Sequence, residues 1–292
     1  RLFITGSSGF IGQAVVRNAL LQGFSLSVMS RYMQYDHIMG DAQIVKRKSL
    51  LDIQVCDLEG CDAVIHLAAH TANPPYAKLS TCIEENAIAT LHLLEIAKKA
   101  RIKKFVLAGS CFEYGMSGNE YERIPTDARL KPTNTYAISK ALCSTSALQW
   151  SKQHQLNIEV LRLFHVFGPG EKKTRFWPSL REAAKNGKDF RMSKGEQVRD
   201  FLYIDEVAEL FIERTNVHRI DQHAGLVKNI VSTNPMTLAD FAKIWWKKWN
   251  AKGRLIMDEI PYRKEEVMRY VGGDDCIVLK SKWNRLSGND TN

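Results

Sequence analysis

The run LFITGSSGFIG at residues 2–12 constrains this chain more than any other stretch. A short apolar segment passes directly into a turn with glycines at 6, 9 and 12, and from about Phe10 the residues read as a helix. A strand that enters a helix through a G-x-x-G-x-x-G turn presents backbone rather than side chains at the helix start. The glycines let N–H groups approach a pyrophosphate at the positive helix terminus, and they let the helix pack closely on the strand. Gly6, Gly9, Phe10, Ile11 and Gly12 are therefore expected to hold a dinucleotide.

Short apolar strands alternate with amphipathic helices through the first two thirds of the chain: "LFIT", "SLSVMS", "AVIHLA", a helix to about Ala100, "KFVLAG", a helix from Tyr136, and "IEVLRLF". That rhythm predicts an α/β fold, a doubly wound parallel (Rossmann) sheet covered by helices on both faces. After "FGPGE" the pattern loosens, with one clear helix starting at the capping-box-like Thr237 to Asp240. The reading assigns 1–170 plus about 201–230 to a cofactor domain. It assigns 171–200 plus about 231–292 to a smaller, mainly C-terminal substrate domain that closes over the C-terminal strand ends. The tryptophans of "WWKKW" are expected to pack in its core.

At 292 residues the chain can bury a substantial core, and its formal charge of +9 suits an anionic partner. The basic residues are spread out, and the densest cluster, "KKARIKK" at 98–104, straddles a helix end where cations cap the dipole. Anionic small molecules are expected rather than nucleic acid. No apolar run approaches the roughly 20 residues of a membrane span, and no leader signal opens the chain, which begins directly on a strand as though a few residues precede it. The six cysteines show no metal-ligand spacing, so no metal is expected, and a reducing cytoplasm is the simplest compartment.

The second strand ends "SVMSR". An acidic residue here would hold a ribose 2′-hydroxyl and repel a 2′-phosphate; Ser30 and Arg31 instead suit a phosphate, so NADP(H) is favoured and NAD(H) remains possible.

The glycine spacing, "DAVIHLAA", "YAISK" and "LRLFHVFGPG", in this order, resemble the extended short-chain dehydrogenases/reductases, the nucleotide-sugar epimerase/dehydratase group. The resemblance implies a Rossmann domain for NAD(P), a smaller domain for a nucleoside-diphosphate sugar, and a homodimer built on the helices near 80–100 and 136–150. It makes Tyr136 the proton donor or acceptor at the sugar oxygen and Ser110 the hydroxyl that hydrogen-bonds that oxygen. Lys140 holds the nicotinamide ribose and lowers the tyrosine pKa from about 10. Spacing of four puts Tyr136 and Lys140 on one helix face. The resemblance also places Ala68, Ala69 and Asn86 beside the cofactor, and gives Arg199 and Arg263 as a clamp on the substrate diphosphate. His165 stands where relatives carry asparagine near the substrate. His66 and His70 read as strand-end histidines rather than catalysts.

Dehydratases of this group place Asp-Glu directly after the catalytic threonine; here Cys111 and Phe112 follow Ser110, and neither can eliminate water. "GSCFEYG", "GEQVRDF" and "PYRKEEVMR" resemble the nucleoside-diphosphate 4-keto-6-deoxyhexose reductases of surface-polysaccharide pathways. The expectation is NADPH-dependent reduction of a 4-keto group. The alternatives are a nucleotide-sugar epimerase with the same residues, or a non-catalytic NAD(P)-sensing protein, which has no need of Ser110, Tyr136 and Lys140 together.

Overall fold

The computed structural model describes residues 1–31, 40–217, 225–232, 234–273 and 276–287. The chain divides into two compact units, the first made of 1–115, 129–163 and 207–228 and the second of 116–128, 164–206 and 229–292. Residues 218–224, inside the 201–230 expected for the cofactor domain, and 288–292, inside the 231–292 expected for the substrate domain, lie outside those described.

The first unit starts with β1 (Leu2–Thr5), α1 (Phe10–Leu21), β2 (Leu26–Ser30) and β3 (Gln43–Lys46). It continues through β4 (Ala63–His66), α2 (Leu79–Ile83), a π-helical turn (Glu84–Ile88) and α3 (Ala89–Lys99). β5 (Lys104–Ser110), α4 (Thr135–His154) and β6 (Asn157–Leu163) complete its core. Six strands pair in parallel in the order β3-β2-β1-β4-β5-β6. In register, Phe3 lies opposite Val64, Val64 opposite Phe105, and Phe105 opposite Ile158. These central strands are buried on both faces, which is why they read as continuous apolar runs rather than alternating ones. One core cluster joins Phe3, Val64, Leu93, Leu94, Phe105 and Ile158. The order reverses between β1 and β4, and ligands of open α/β sheets bind at the strand ends beside such a switch.

The helix expected to end near Ala100 is interrupted: α2 and α3 are joined by the π-helical turn that carries Asn86. α4 is fixed at both ends, by the Asn134 side chain accepting from the Ala137 N–H at 2.9 Å and by Gln155 in the left-handed region at φ 57°.

The second unit holds β7 (His165–Phe167), α5 (Phe176–Lys185), β8 (Phe190–Arg191), β9 (Val198–Arg199) and β10 (Phe201–Tyr203). β10 runs into α6 (Ile204–Glu213), whose residues from Val207 belong to the first unit. Then follow β11 (Leu226–Ser232), β12 (Met236–Thr237), α7 (Leu238–Lys248), β13 (Leu255–Ile256), β14 (Arg269–Tyr270) and β15 (Cys276–Leu279). β10 pairs with β7, β8 with β13, and residues 229–232 of β11 with β15, all in parallel, while β9 lies between antiparallel β12 and parallel β14. Thr237 caps α7, with the Asp240 N–H donating to its hydroxyl at 3.0 Å.

Aromatic rings fill this unit. Phe201 stacks on Phe241 at 3.8 Å, and Phe167 meets Phe241, Trp245 and Trp283 edge-on at 4.9, 5.8 and 5.5 Å. Trp245 is fully buried, the Trp246 indole donates to the Gly253 carbonyl, and the Lys248 ammonium lies over Trp245 while donating to the carbonyls of Trp283, Asn284 and Leu286. The "WWKKW" tryptophans thus form core and not a ligand cage.

Candidate active site

A cleft of about 760 Å³, open to solvent, lies within the first unit at the C-terminal ends of its strands. Gly6, Gly9, Arg31, Ala68 and Ala69, all expected beside the cofactor, line it together with Ser8, Met29 and His70. Backbone shapes its floor. A Cβ on Gly12 would lie 2.0 Å from the Gly6 carbonyl oxygen, and one on Gly6, whose φ is +70°, would lie 2.5 Å from the Ala68 nitrogen. Only glycine lets α1 start this close to β1 and to the segment after β4. α1 begins at Gly9 with no side-chain cap and no acid in its first turn, so its first N–H groups, among them those of Phe10 and Ile11, keep their positive end for an anion. A side-chain-poor cradle at a helix N-terminus fits a dinucleotide diphosphate. Buried Ser30 ends β2, and exposed Arg31, the next residue, lines the cleft. Ser49 and Leu50 also line the cleft; the sequence reading passed over them because "KSLLD" shows only a capping box, Ser49 with Asp52.

Ser110 ends β5 and Tyr136 and Lys140 sit in the first two turns of α4, so the parallel layering brings the three together. The Ser110 hydroxyl acts on the Tyr136 phenol in the direction that favours its ionised form, and the ring of Tyr76 lies parallel to the Tyr136 ring. Burial holds the Tyr136 phenol well above its ordinary pKa, with the charges of Glu113 and Cys111 acting in the same direction and the Ser110 hydroxyl against it. This corrects the expectation of a lowered tyrosine: Lys140 is felt instead at His66 and Cys143. Lys140 itself is 3% exposed, and its ammonium makes no hydrogen bond or ion pair among the described residues. A desolvated ammonium without a protein acceptor fits the hydroxyls of a bound ribose.

Asn86 acts through backbone. Its Oδ1 accepts from the His70 N–H at 2.6 Å, and its Nδ2 donates to the Ser139 hydroxyl at 2.8 Å and to the His70 carbonyl. Ser139 donates in turn to the Tyr136 carbonyl at 2.8 Å. The π-helical turn aims Asn86 at both segments, the local use such turns often have. His66 is a buried structural histidine between the hydroxyls of Thr5 (2.6 Å) and Thr90 (2.9 Å). Burial, then the charge of Lys140, pushes its pKa down to about 3.

Of the residues expected to bind substrate, Ser110 lies in the first unit and His165, Arg199 and Arg263 in the second. His165 begins β7, its N–H bonded to the Asp200 carbonyl and its ring 5.8 Å from that of Tyr270. Burial, with the positive charges of Arg199 and Arg175, drives its pKa well below the ordinary value, so the ring is neutral. The Arg199 guanidinium is engaged by Glu266 (2.8 Å) and the Val267 carbonyl (2.8 Å), and it lies 5.3 Å above the Tyr270 ring. Arg263 is exposed.

Glu113 is the residue that sequence reasoning missed. Fully buried, its carboxylate accepts from the Ser110 N–H (2.8 Å), the Ser144 hydroxyl (3.0 Å) and Arg162 Nε (2.8 Å). An acid in "CFEYG" reads as a turn residue, and only the arginine far along the chain reveals the pair. Among the described residues no cluster could hold a metal ion, and no helix is long and apolar enough to cross a membrane.

Comparison with known proteins agrees with this geometry. The family model described as "NAD dependent epimerase/dehydratase family" matches residues 2–219. A GDP-6-deoxy-D-mannose reductase of Pseudomonas aeruginosa is 27% identical over 97% of this chain and 91% of its own length. A dTDP-D-glucose 4,6-dehydratase of Dictyostelium discoideum is 25% identical over 72% of this chain; the match spans about half, 54%, of that enzyme. Among solved structures, a UDP-N-acetylglucosamine 4-epimerase from Methanobrevibacter ruminantium in complex with UDP-N-acetylmuramic acid superposes with a TM-score of 0.86. It is 23% identical and covers 100% of this chain and 96% of its own, a likeness of fold. With a glycine cradle at the start of α1, Ser110 at the end of β5, Tyr136 and Lys140 in the first turns of α4, and a family match across three quarters of its length, the chain belongs to the NAD-dependent epimerase/dehydratase family.

Proposed function

We propose that this protein reduces the C4 carbonyl of a nucleoside-diphosphate 4-keto-6-deoxysugar, using NADPH. The observation that carries the reading is the buried Tyr136 phenol, kept protonated by that burial, with Cys111 and Phe112 rather than two carboxylates after Ser110. Glu113 cannot serve as an eliminating acid, because its carboxylate is held by Arg162 and the Ser110 N–H. The relative described as a GDP-6-deoxy-D-mannose reductase, matched over nearly the whole of both chains, supports the same class.

When bound, the nicotinamide supplies a hydride to C4. Tyr136 donates its phenolic proton to the carbonyl oxygen, so that ketone, hydride and proton give a secondary alcohol. A phenol kept protonated by burial is loaded for that direction, whereas an epimerase must first use the same group as a base. Ser110 donates a hydrogen bond to the oxygen as its charge develops. Lys140 holds the ribose and offsets the phenolate that remains until solvent returns a proton. Arg31 binds the 2′-phosphate, and Arg263, with Arg199 anchored on Glu266, meets the substrate diphosphate.

The test is a panel of nucleoside-diphosphate 4-keto-6-deoxysugars with NADPH absorbance and product NMR as readouts. Stoichiometric NADPH oxidation with a new C4 hydroxyl is expected. Interconversion of nucleotide sugars without net oxidation of NADPH would replace a reductase by an epimerase.

A further inference from the structure

We propose that Glu113 is a positioning residue: its carboxylate ties the turn carrying Ser110 to the helix carrying Tyr136 and Lys140, and Arg162 holds that carboxylate in place. The inference rests on the assignment of Ser110, Tyr136 and Lys140 to the chemistry.

Three elements meet at this one carboxylate. Oε1 receives the Ser110 N–H at 2.8 Å, from the end of β5, and the Ser144 hydroxyl at 3.0 Å, from α4. Oε2 receives Arg162 Nε at 2.8 Å, from β6, where Arg162 lies in register with Gly109. Arg162 Nη1 also donates to the Tyr114 hydroxyl at 2.8 Å, which fixes the fork in its plane. Ser144 stands one helical turn beyond Lys140 and two beyond Tyr136, so its bond sets the height and rotation of the face that carries both.

The backbone makes room for this arrangement. A Cβ on Gly109 would sit 3.0 Å from Glu113 Oε1, Arg162 Cγ and Val160 Cγ1, so the residue before Ser110 can scarcely carry a side chain while the carboxylate folds back under the strand. The Ser110 oxygen accepts the Phe112 N–H at 3.2 Å, which leaves the hydroxyl hydrogen to point at Tyr136 or at a substrate oxygen. A carbonyl could satisfy one buried N–H without a buried charge. A charged acceptor shared by strand, helix and neighbouring strand instead gives short, directional bonds that resist displacement of any one of them.

Two variants test the assignment. Glu113→Gln keeps the shape and an acceptor for Ser110 but loses the charge that holds Arg162; Ser144→Ala deletes only the link to α4. With the sugar that the wild-type protein turns over, Glu113→Gln is expected to lower kcat about tenfold or more while KM and NADPH affinity stay within about threefold. Ser144→Ala is expected to lower kcat by about threefold with the melting temperature nearly unchanged. Hydrogen exchange at the Ser110 amide, measured on the protein alone, should accelerate in both. A purely structural role would lower the melting temperature and leave kcat per folded molecule as in wild type, and that result overturns the proposal. Should Glu113→Gln not fold, Ser144→Ala decides by the same kcat and exchange criteria. A wild-type protein inert on every sugar would remove the proposed function, and the exchange measurement would then decide this inference by itself: faster exchange supports it, and unchanged exchange in the variants refutes it.

Discussion

The rings of Tyr76 and Tyr136 lie within 7° of parallel with centroids 6.3 Å apart. Tyr76 comes from the segment after β4, which the Thr135 hydroxyl holds to the start of α4 through the Ala77 carbonyl at 2.9 Å. Burial is the main cause of the raised Tyr136 pKa, and Tyr76 adds to it. Tyr76→Ala should therefore lower that pKa. Because the proton donor must be protonated for reduction, the alkaline fall in kcat/KM should move to lower pH in the variant. An alkaline limb in the same place as wild type, read from a full pH–rate profile, would contradict this account of the cover.

Tyr136→Phe deletes one hydroxyl and should leave the fold and NADPH binding intact, yet cost about 100-fold or more in turnover, within the usual worth of a positioned acid. Lys140→Met should impair both turnover and NADPH affinity, since the proposed function gives the buried ammonium two tasks, holding the cofactor ribose and offsetting the phenolate. Stopped-flow hydride transfer and fluorescence titration separate the two effects, and near-original rates in Tyr136→Phe would refute the assignment.

His66 gives the protein an acid sensitivity of known sign. Its folded pKa is lowered from 6.5 to about 3, so between those values the unfolded chain binds a proton that the folded one excludes. Its contribution to stability is present above pH 6.5 and is lost as pH falls through this window, at up to about 1.4 kcal/mol per pH unit. Urea unfolding of wild type and His66→Gln between pH 7 and 4 should show a shallower pH slope for the variant, whatever its absolute stability. Parallel slopes would mean that His66 is not the group responsible.

We propose Arg31, which lines the cleft, as the group by which the protein distinguishes cofactors. NADPH should be used at least about tenfold more efficiently than NADH, equivalent to some 1.4 kcal/mol, and Arg31→Ala should narrow the gap. Equal kcat/KM for the two cofactors in the unmodified enzyme would remove the 2′-phosphate role.

Leu79 on α2, Ile88 on the π-helical turn and Leu142 on α4 are 39%, 50% and 41% exposed. We propose that this apolar surface is covered by a second copy of the chain in a two-fold dimer. Light scattering should report twice the monomer mass at micromolar concentration, and Leu142→Glu combined with Ile88→Glu should return monomer. A monomeric wild type would exclude the dimer.

The sequence by itself determined the parallel sheet of the first unit, because its strands and helices are encoded by local periodicity and its first turn by glycines whose steric demands are local. Ser110, Tyr136 and Lys140 were singled out through the family resemblance carried by "LAGSCFEYG" and "YAISK", and the four-residue spacing added only that Tyr136 and Lys140 share a helix face. The tertiary structure alone decided the rest. Glu113 becomes a buried junction only when Arg162, 49 residues away, and Ser144, 31 residues away, are folded against it. Asn86 gains its two partners because a π-helical turn rotates it toward the segment after β4 and toward α4. The direction of the Tyr136 pKa shift reversed for the same cause: spacing shows which charges are near in sequence, whereas burial, the largest influence on that phenol, is a property of the assembled layers.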